Sequence, residues 1–340
     1  PEVRATIEAR KAQGLHAGMG FTYRNPARST DPSAAVRHAR AIVVGALGYH
    51  RGDPPRPLGP GPHARVASYA WDDHYGQLKA ALEPVSRRLR ADGWRTRILA
   101  DDNALVDRAA AVRAGLAWWG KSANVLVPGR GSWFVLGAVV TDAPLVEHDP
   151  DPVPDGCGTC HRCMDGCPTG AIVAPGVVDA RRCLSWLLQA PGEFPREHRV
   201  ALGDRIYGCD ECQDVCPPNR REHRARVPLP GRSDQAWVPV LDLLRASDEQ
   251  LLERYGRWYI WQREPRWLRR NALIVLGNIG VATDPDVVRA LDAALRDDDP
   301  VVRAHAVWAA ARLGRHDLLD VVRDDHDPMV LSELAASGAT

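Results

Sequence analysis

Cys157-Gly-Thr-Cys160-His-Arg-Cys163-Met-Asp-Gly-Cys167-Pro168 and, further on, Gly208-Cys209-Asp-Glu-Cys212-Gln-Asp-Val-Cys216-Pro217 hold seven of the eight cysteines in this 340-residue chain, and the eighth, Cys183, lies between them. The first run has the CxxCxxCxxxCP spacing of bacterial ferredoxins, in which three close thiolates grip one [4Fe-4S] cube and the Cys before Pro ligates a second. Eight thiolates satisfy two cubes with none left over. The second run is one ligand short, and Cys183 in Asp179-Ala-Arg-Arg-Cys183 supplies it. The crossed pattern assigns Cys157, Cys160, Cys163 and Cys216 to one cluster, and Cys167, Cys183, Cys209 and Cys212 to the other. Two plainer readings compete. A zinc ribbon also uses CxxC pairs, but it needs neither a CxxCxxC triplet nor two Cys-Pro ends. A disulfide framework calls for an oxidising compartment and usually a small domain, unlike a chain of this length.

Working outward, the chain is 45% apolar and 26% charged, enough to bury a sizeable core, and its length predicts two or three domains. The formal net charge is +1, so overall charge selects no partner. Only Lys11, Lys79 and Lys121 among the 44 basic residues are lysines. Arginine abundance is therefore a habit of the whole chain and by itself weak evidence for nucleic acid. No apolar run approaches the ~20 residues a membrane span needs, and no signal peptide is visible. Thiolate-held clusters without a secretion signal point to the cytoplasm.

Ala41-Ile-Val-Val-Gly-Ala-Leu-Gly-Tyr49 is an apolar run of strand length, suited to a strand covered on both faces. The Pro/Gly-rich stretch from Arg51 to Pro62 is too long for a plain connection. A helix follows through Arg90 and ends at Asp92-Gly93. Arg97-Ile-Leu-Ala100 reads as a second strand, after which Asn103 can cap a helix from Ala104 to Leu116. Asn124-Val-Leu-Val127 and Ser132 to Thr141 read as a hairpin across the turn Pro128-Gly-Arg-Gly131. This alternation predicts an α/β domain over 1–150. A ferredoxin-like domain with two clusters is expected over 151–232, and an α-helical domain over 233–340. In the last span, Arg269-Arg-Asn-Ala272 is echoed by Arg303-Ala-His-Ala306 at an offset of 34, with a shorter echo at Asp327-Pro328. Stacked helix pairs of this period are HEAT-like repeats. So few repeats are expected to pack on the cluster domain rather than swing free.

Two clusters in series imply a wire from an external electron donor to an acceptor, sought in the α/β domain. Asp101 directly follows a strand end, where open α/β sheets present acids to ligands. Lys121 sits in a Gly-hinged loop after Trp118 and Trp119, and Gly129 to Gly131 can bring bare backbone close to a large flat ligand. Each has a bland alternative: Asp101 and Asp102 as a helix start, the tryptophans as core, the glycines as a turn. Arg220 to Arg232 carries five arginines, and Arg254 to Arg270 carries six, interleaved with Tyr255, Trp258, Tyr259, Trp261 and Trp267. Such a mixture suits phosphate contact and base stacking, or equally a solvated face in an Arg-rich chain.

Leu105-Val-Asp-Arg108, Ala114-Gly-Leu-Ala-Trp-Trp-Gly-Lys121, Gly131-Ser-Trp-Phe134 and the two cysteine runs together resemble the epoxyqueuosine reductases, over essentially the whole chain. The resemblance implies a monomeric cytoplasmic enzyme whose α/β domain binds cobalamin beside two [4Fe-4S] clusters. It implies reduction of epoxyqueuosine, at the wobble position of tRNA, to queuosine, the last step of queuosine biosynthesis, with the anticodon loop as the part recognised. Cobalamin contacts then fall on Arg24, Asp101, Val106, Arg108, Lys121 and Gly129, and the general acid on Asp101. Here the sequence departs from the family's Asp-Thr-Gly-Pro, reading Asp101-Asp102-Asn103-Ala104, which leaves Asp102 as an alternative acid. Gly120-Lys-Ser-Ala123 and Cys216-Pro-Pro-Asn219 also depart from the family's Gly-Lys-Asn-Thr and Cys-Pro-Trp-Asn. Two other readings stay open: a corrinoid reductase of a small molecule, dehalogenase-like, and a non-catalytic iron-sulfur electron-transfer protein.

Overall fold

The computed structural model describes residues 2–50, 52, 54–146, 150–220 and 233–338. Its strands in chain order are β1 (Ala41–Gly48), β2 (His63–Val66), β3 (Thr96–Ala100), β4 (Trp118–Trp119), β5 (Val125–Leu126), β6 (Phe134–Thr141), β7 (Ile172–Ala174), β8 (Val177–Val178), β9 (Arg205–Tyr207) and β10 (Trp237–Pro239). Two compact units emerge, and neither is continuous in sequence. The first comprises Pro1–Gly52, Asp72–Cys183 and Asp210–Pro228; the second comprises Asp53–Trp71, Leu184–Cys209 and Leu229–Thr340.

The first unit is built on the sheet β1-β6-β3, with β6 antiparallel to both neighbours. Its register runs from Ala41↔Thr141 to Gly48↔Phe134 on one side and from Thr96↔Thr141 to Ala100↔Gly137 on the other. Val135 to Thr141 are all buried, as a strand with partners at both edges requires. The helix His74–Ala91 packs on this sheet, started by Asp73, whose Oδ1 accepts from Gly76 N at 2.9 Å, and ended before Gly93 at φ +90°. Asp-Gly at the close is the expected left-handed stop.

Two expectations fail in this unit. The 124–141 stretch is no hairpin: β5 pairs with β4, Val127 meets Gly131 in a single bridge, and β6 goes to the sheet centre. Burial decides this, because the two-residue β5 cannot cover an eight-residue apolar strand that β1 matches residue for residue. Nor does a helix start at Asn103. Asp102 Oδ1 accepts from Ala104 N at 2.9 Å, and this local turn displaces the helix to Asp107–Arg113. Short Asp side chains compete with helix in this way.

In the second unit the sheet order is β10-β2-β9, with β2 antiparallel to β10 and parallel to β9. These strands come from the three spans that the sequence assigned to separate domains. A linear division at 150 and 232 therefore differs from the observed units, because backbone pairing ties the three spans together. Helices Arg266–Ile279, Pro285–Leu295, Pro300–Arg312 and Pro328–Ala336 follow. The last three start with Asp-Pro, where Asp284, Asp299 and Asp327 each accept at 2.8 Å from the backbone N two residues on. Pro at the first helical position loses no hydrogen bond. The 266–279 helix packs on the 300–312 helix, the pair that the 34-residue offset relates, and also on residues 196–202 and β9. The repeats do not stand alone; they share one core with the segment Leu184–Cys209.

The two fully buried arginines of this unit both have partners. Arg270, with no exposed surface, donates to the carbonyls of Leu187, Ala190 and Gly192 at 2.9, 2.7 and 2.8 Å, and to Asn271 Oδ1. Burial lowers its pKa to about 9. Arg199 lies 2.7 Å from Glu333 Oε1 and donates to Phe194 O at 2.9 Å, while Glu333 also pairs with Arg196. Among the described residues no helix is long and apolar enough to cross a membrane.

Candidate active site and cluster ligands

Because β1 and β3 both run against β6, their C-terminal ends share one sheet edge with the start of β6, at Tyr49, Asp101 and Ser132-Trp133. Asp101 leaves β3 with φ +51°, a left-handed conformation that Asp tolerates better than most residues at a cost of about 1–3 kcal/mol. No hydrogen bond to its carboxylate is found among the described residues. Asp102 is occupied: besides its turn, its Oδ2 is 3.0 Å from Arg97 Nη2. Partial desolvation raises the Asp101 pKa, Lys79 opposes the rise, and Asp102 adds to it.

Asp107 opens the helix that follows. Its Oδ1 is buried without a hydrogen-bond partner, and burial raises its pKa to about 7 against the pull of Arg108, with Asp101 and Asp102 pushing it further up. Near neutrality this carboxyl carries its proton much of the time. From sequence, Asp107 was one letter in the Leu-Val-Asp-Arg motif. Neither it nor Lys79 was singled out, because carboxylate burial cannot be read where a helix start is misplaced.

Of the expected cofactor contacts, Asp101, Val106 and Arg108 fall within one short stretch, Val106 being the residue before the helix. Arg108 Nη1 donates to Ala123 O at 3.0 Å, which ties that helix to the 120–124 turn. Gly129 has φ +71° and open space where a Cβ would stand. Arg24 folds back beside Gly20. Lys121 is committed elsewhere: its Nζ donates to Gly158 O, between Cys157 and Cys160, at 2.6 Å. Trp118 is buried over Gly156, whereas Trp119 is 45% exposed.

All eight cysteines are half-buried and none is in a disulfide. Cys157, Cys160 and Cys163 raise the pKa of the Cys216 thiol which, with burial as the larger cause, goes to about 11; Cys157 and Cys160 act likewise on Cys163. These four cysteines are the set that the crossed ferredoxin pattern assigns to one cluster. Among the described residues no three His, Cys, Asp or Glu side chains converge as the ligands of a single metal ion do.

A buried polar network joins the Cys216 loop to the sheet edge. Ser132 Oγ donates to Gln213 Oε1 at 2.8 Å, Gln213 Nε2 to Tyr49 Oη at 3.2 Å, and Asn219 Nδ2 to Ser132 Oγ at 2.9 Å. Asn219 Oδ1 accepts from Ser132 N at 2.7 Å. A Cβ on Gly131, at φ +71°, would fall 1.9 Å from Asn219 Oδ1, so glycine is required there.

Of the two arginine-rich stretches, the described one is only partly exposed. Arg221 to Arg232 lies outside the described residues. In the second stretch Arg270, Trp258, Trp267 and Tyr255 are buried. Arg269 pairs with Asp248 at 2.5 Å and its repeat mate Arg303 with Asp325 at 2.7 Å, so both are braces between turns. Arg254, Tyr259 and Arg263 are exposed.

Comparison with known proteins fits this arrangement. Residues 156–219 match the model for a 4Fe-4S double cluster binding domain, and residues 259–337 match HEAT repeats. The chain is 33% identical to an epoxyqueuosine reductase of Xanthomonas campestris over 92% of its length and 89% of the relative's. It is 32% identical to that of Bacillus subtilis, covering 87% of this chain and 77% of the other. A crystal structure of an epoxyqueuosine reductase with an epoxyqueuosine-modified tRNA-Tyr stem loop superposes with TM-score 0.86 at 27% identity, covering 99% of this chain and 90% of that one. The Streptococcus thermophilus enzyme gives TM-score 0.87, also at 27% identity, covering 99% and 91%. A chain with this cysteine framework, these repeats and this full-length likeness belongs to the epoxyqueuosine reductase family.

Proposed function

We propose that this protein reduces the epoxide of epoxyqueuosine in tRNA to the alkene of queuosine, with two [4Fe-4S] clusters delivering electrons and cobalamin bound in the first unit. The observation that carries the reading is the full-length likeness to an enzyme crystallised with an epoxyqueuosine-modified stem loop. Family membership disfavours both the small-molecule corrinoid reductase and the plain electron carrier.

The residues present fit cobalamin. Asp107 Oδ1 is a buried acceptor lacking a donor, which the amide-fringed rim of a corrin can supply, and the open space at Gly129 admits a large ring. Arg24, Val106, Arg108 and Gly129 would hold it, with Lys121 acting through the Cys157 loop instead. When bound and reduced, cobalamin supplies a nucleophile stronger than any side chain.

Removing one oxygen as water takes two electrons and two protons. Asp101 is the acid: partial desolvation raises its pKa, and its left-handed backbone places the carboxyl at the sheet edge with no hydrogen bond to it among the described residues. Asp102 is held by Arg97 and its own turn, so it positions the loop. Asp107 is poised to keep a second proton near neutral pH. Cys157, Cys160, Cys163 and Cys216 would hold one cluster and Cys167, Cys183, Cys209 and Cys212 the other, which together would supply electrons from an external donor. Exposed Arg254, Tyr259 and Arg263 are available to RNA. Protein reconstituted with iron, sulfide and cobalamin should retain corrin absorbance through desalting; complete release of the corrin would refute the cofactor assignment.

A further inference from the structure

Asn124 stands at the close of the 120–124 turn with its side chain aimed at a cluster ligand. Its Nδ2 donates to Cys212 Sγ at 3.7 Å, across 88 residues of sequence, a normal reach for a hydrogen bond to sulfur. The donor is firmly held. Asn124 O accepts from Gly120 N at 2.8 Å, Ala123 N donates to Gly120 O at 3.0 Å, and Ala123 takes the left-handed φ of +62° to close the turn. From the other side Arg108 grips Ala123 O at 3.0 Å. Cys167, assigned to the same cluster, also receives a hydrogen bond, from Ala171 N at 3.2 Å. That donor is backbone and common in such loops; the Asn124 donor is a side chain and therefore a choice made by the sequence.

We infer that Asn124 is a tuning residue that raises the reduction potential of the cluster ligated by Cys212. A donor to a thiolate sulfur draws negative charge off the cluster, so it favours the form holding one more electron. The inference rests on the iron-sulfur reading above. The step is a one-electron reduction of the cluster's iron by an outside one-electron reductant, reversed when the cluster passes that electron on, with no bond to a thiolate made or broken.

The test is a potentiometric titration with dithionite, followed by electron paramagnetic resonance, on reconstituted full-length protein. Wild type is compared with Asn124→Ala, which removes the donor, and Asn124→Asp, which keeps the volume and replaces a donor with a negative charge. Iron and sulfide are assayed on each sample. The expected result is one midpoint of the two moving negative in Asn124→Ala, and further negative in Asn124→Asp, with the other midpoint unmoved and iron content unchanged. Unmoved midpoints in both variants, or equal shifts of both clusters, would overturn the inference. So would loss of half the iron in both variants, since Asn124 would then build the site rather than tune it. Wild type that fails to take up iron would instead sink the cluster reading itself.

Discussion

Two neighbourhoods treat buried charge in opposite ways. In the second unit, Arg270 donates to three backbone carbonyls, and Arg199 and Glu333 face each other at 2.7 Å. In the first unit, Asp107 keeps a buried oxygen with no partner, exposed Asp101 sits in a left-handed conformation, and burial, with neighbouring thiols adding to it, pushes Cys216 up to about 11. Satisfied groups make scaffold, and unsatisfied ones store free energy for chemistry. The contrast separates stability from function residue by residue.

The largest effect should come from Asp101→Asn. Asn tolerates the same left-handed backbone, so folding and cofactor content should hold while turnover falls by about 10²–10⁴-fold, the usual contribution of a general acid. Arg270→Met should do the reverse. It leaves three carbonyls without their donor and should cost about 3–5 kcal/mol in denaturant unfolding, with the Asp101 pKa untouched.

Asp107→Asn sharpens the comparison through pH. The folded-state pKa is raised to about 7, so folding binds a proton more tightly than the unfolded chain does. Stability from this group is complete below the unfolded value, near 4, and is lost as pH rises through 7. Unfolding midpoints of wild type should therefore fall from pH 4 to pH 8 relative to Asp107→Asn, by at most about 4 kcal/mol. Parallel curves would mean that Asp107 is ionised in the fold. Gly131→Ala should have the smallest effect, about 1–3 kcal/mol from its positive φ and the displaced Asn219, read as a lower thermal midpoint.

Much of this was legible in the sequence, and unevenly so. Cysteine spacing is a covalent constraint on cluster ligation, so residues 157 to 217 declare themselves without any knowledge of the fold. The helical repeats do so too, because the 34-residue offset relates the packed helices 266–279 and 300–312, and Asp-Pro starts three helices. Sheet order was not legible. Nothing local marks β6 as a central strand or β2, β9 and β10 as partners, since pairing depends on burial summed over distant segments. The same gap hid Asp107, whose unpartnered oxygen lies at the start of a helix that begins later than the sequence suggests. The interleaved arginines and aromatics of 254–270 left two readings open for a related reason: an arginine that caps carbonyls in a core and one that meets phosphate look alike in a string of letters.

The central claim is that this chain removes an oxygen from a modified base in tRNA. Protein loaded with iron, sulfide and cobalamin is incubated under a strong one-electron reductant with a stem loop carrying epoxyqueuosine, and the nucleosides are then analysed by mass spectrometry. Conversion of the nucleoside to a species lighter by one oxygen is the predicted result; an intact epoxide, with both clusters and the corrin verified in the protein, would contradict it.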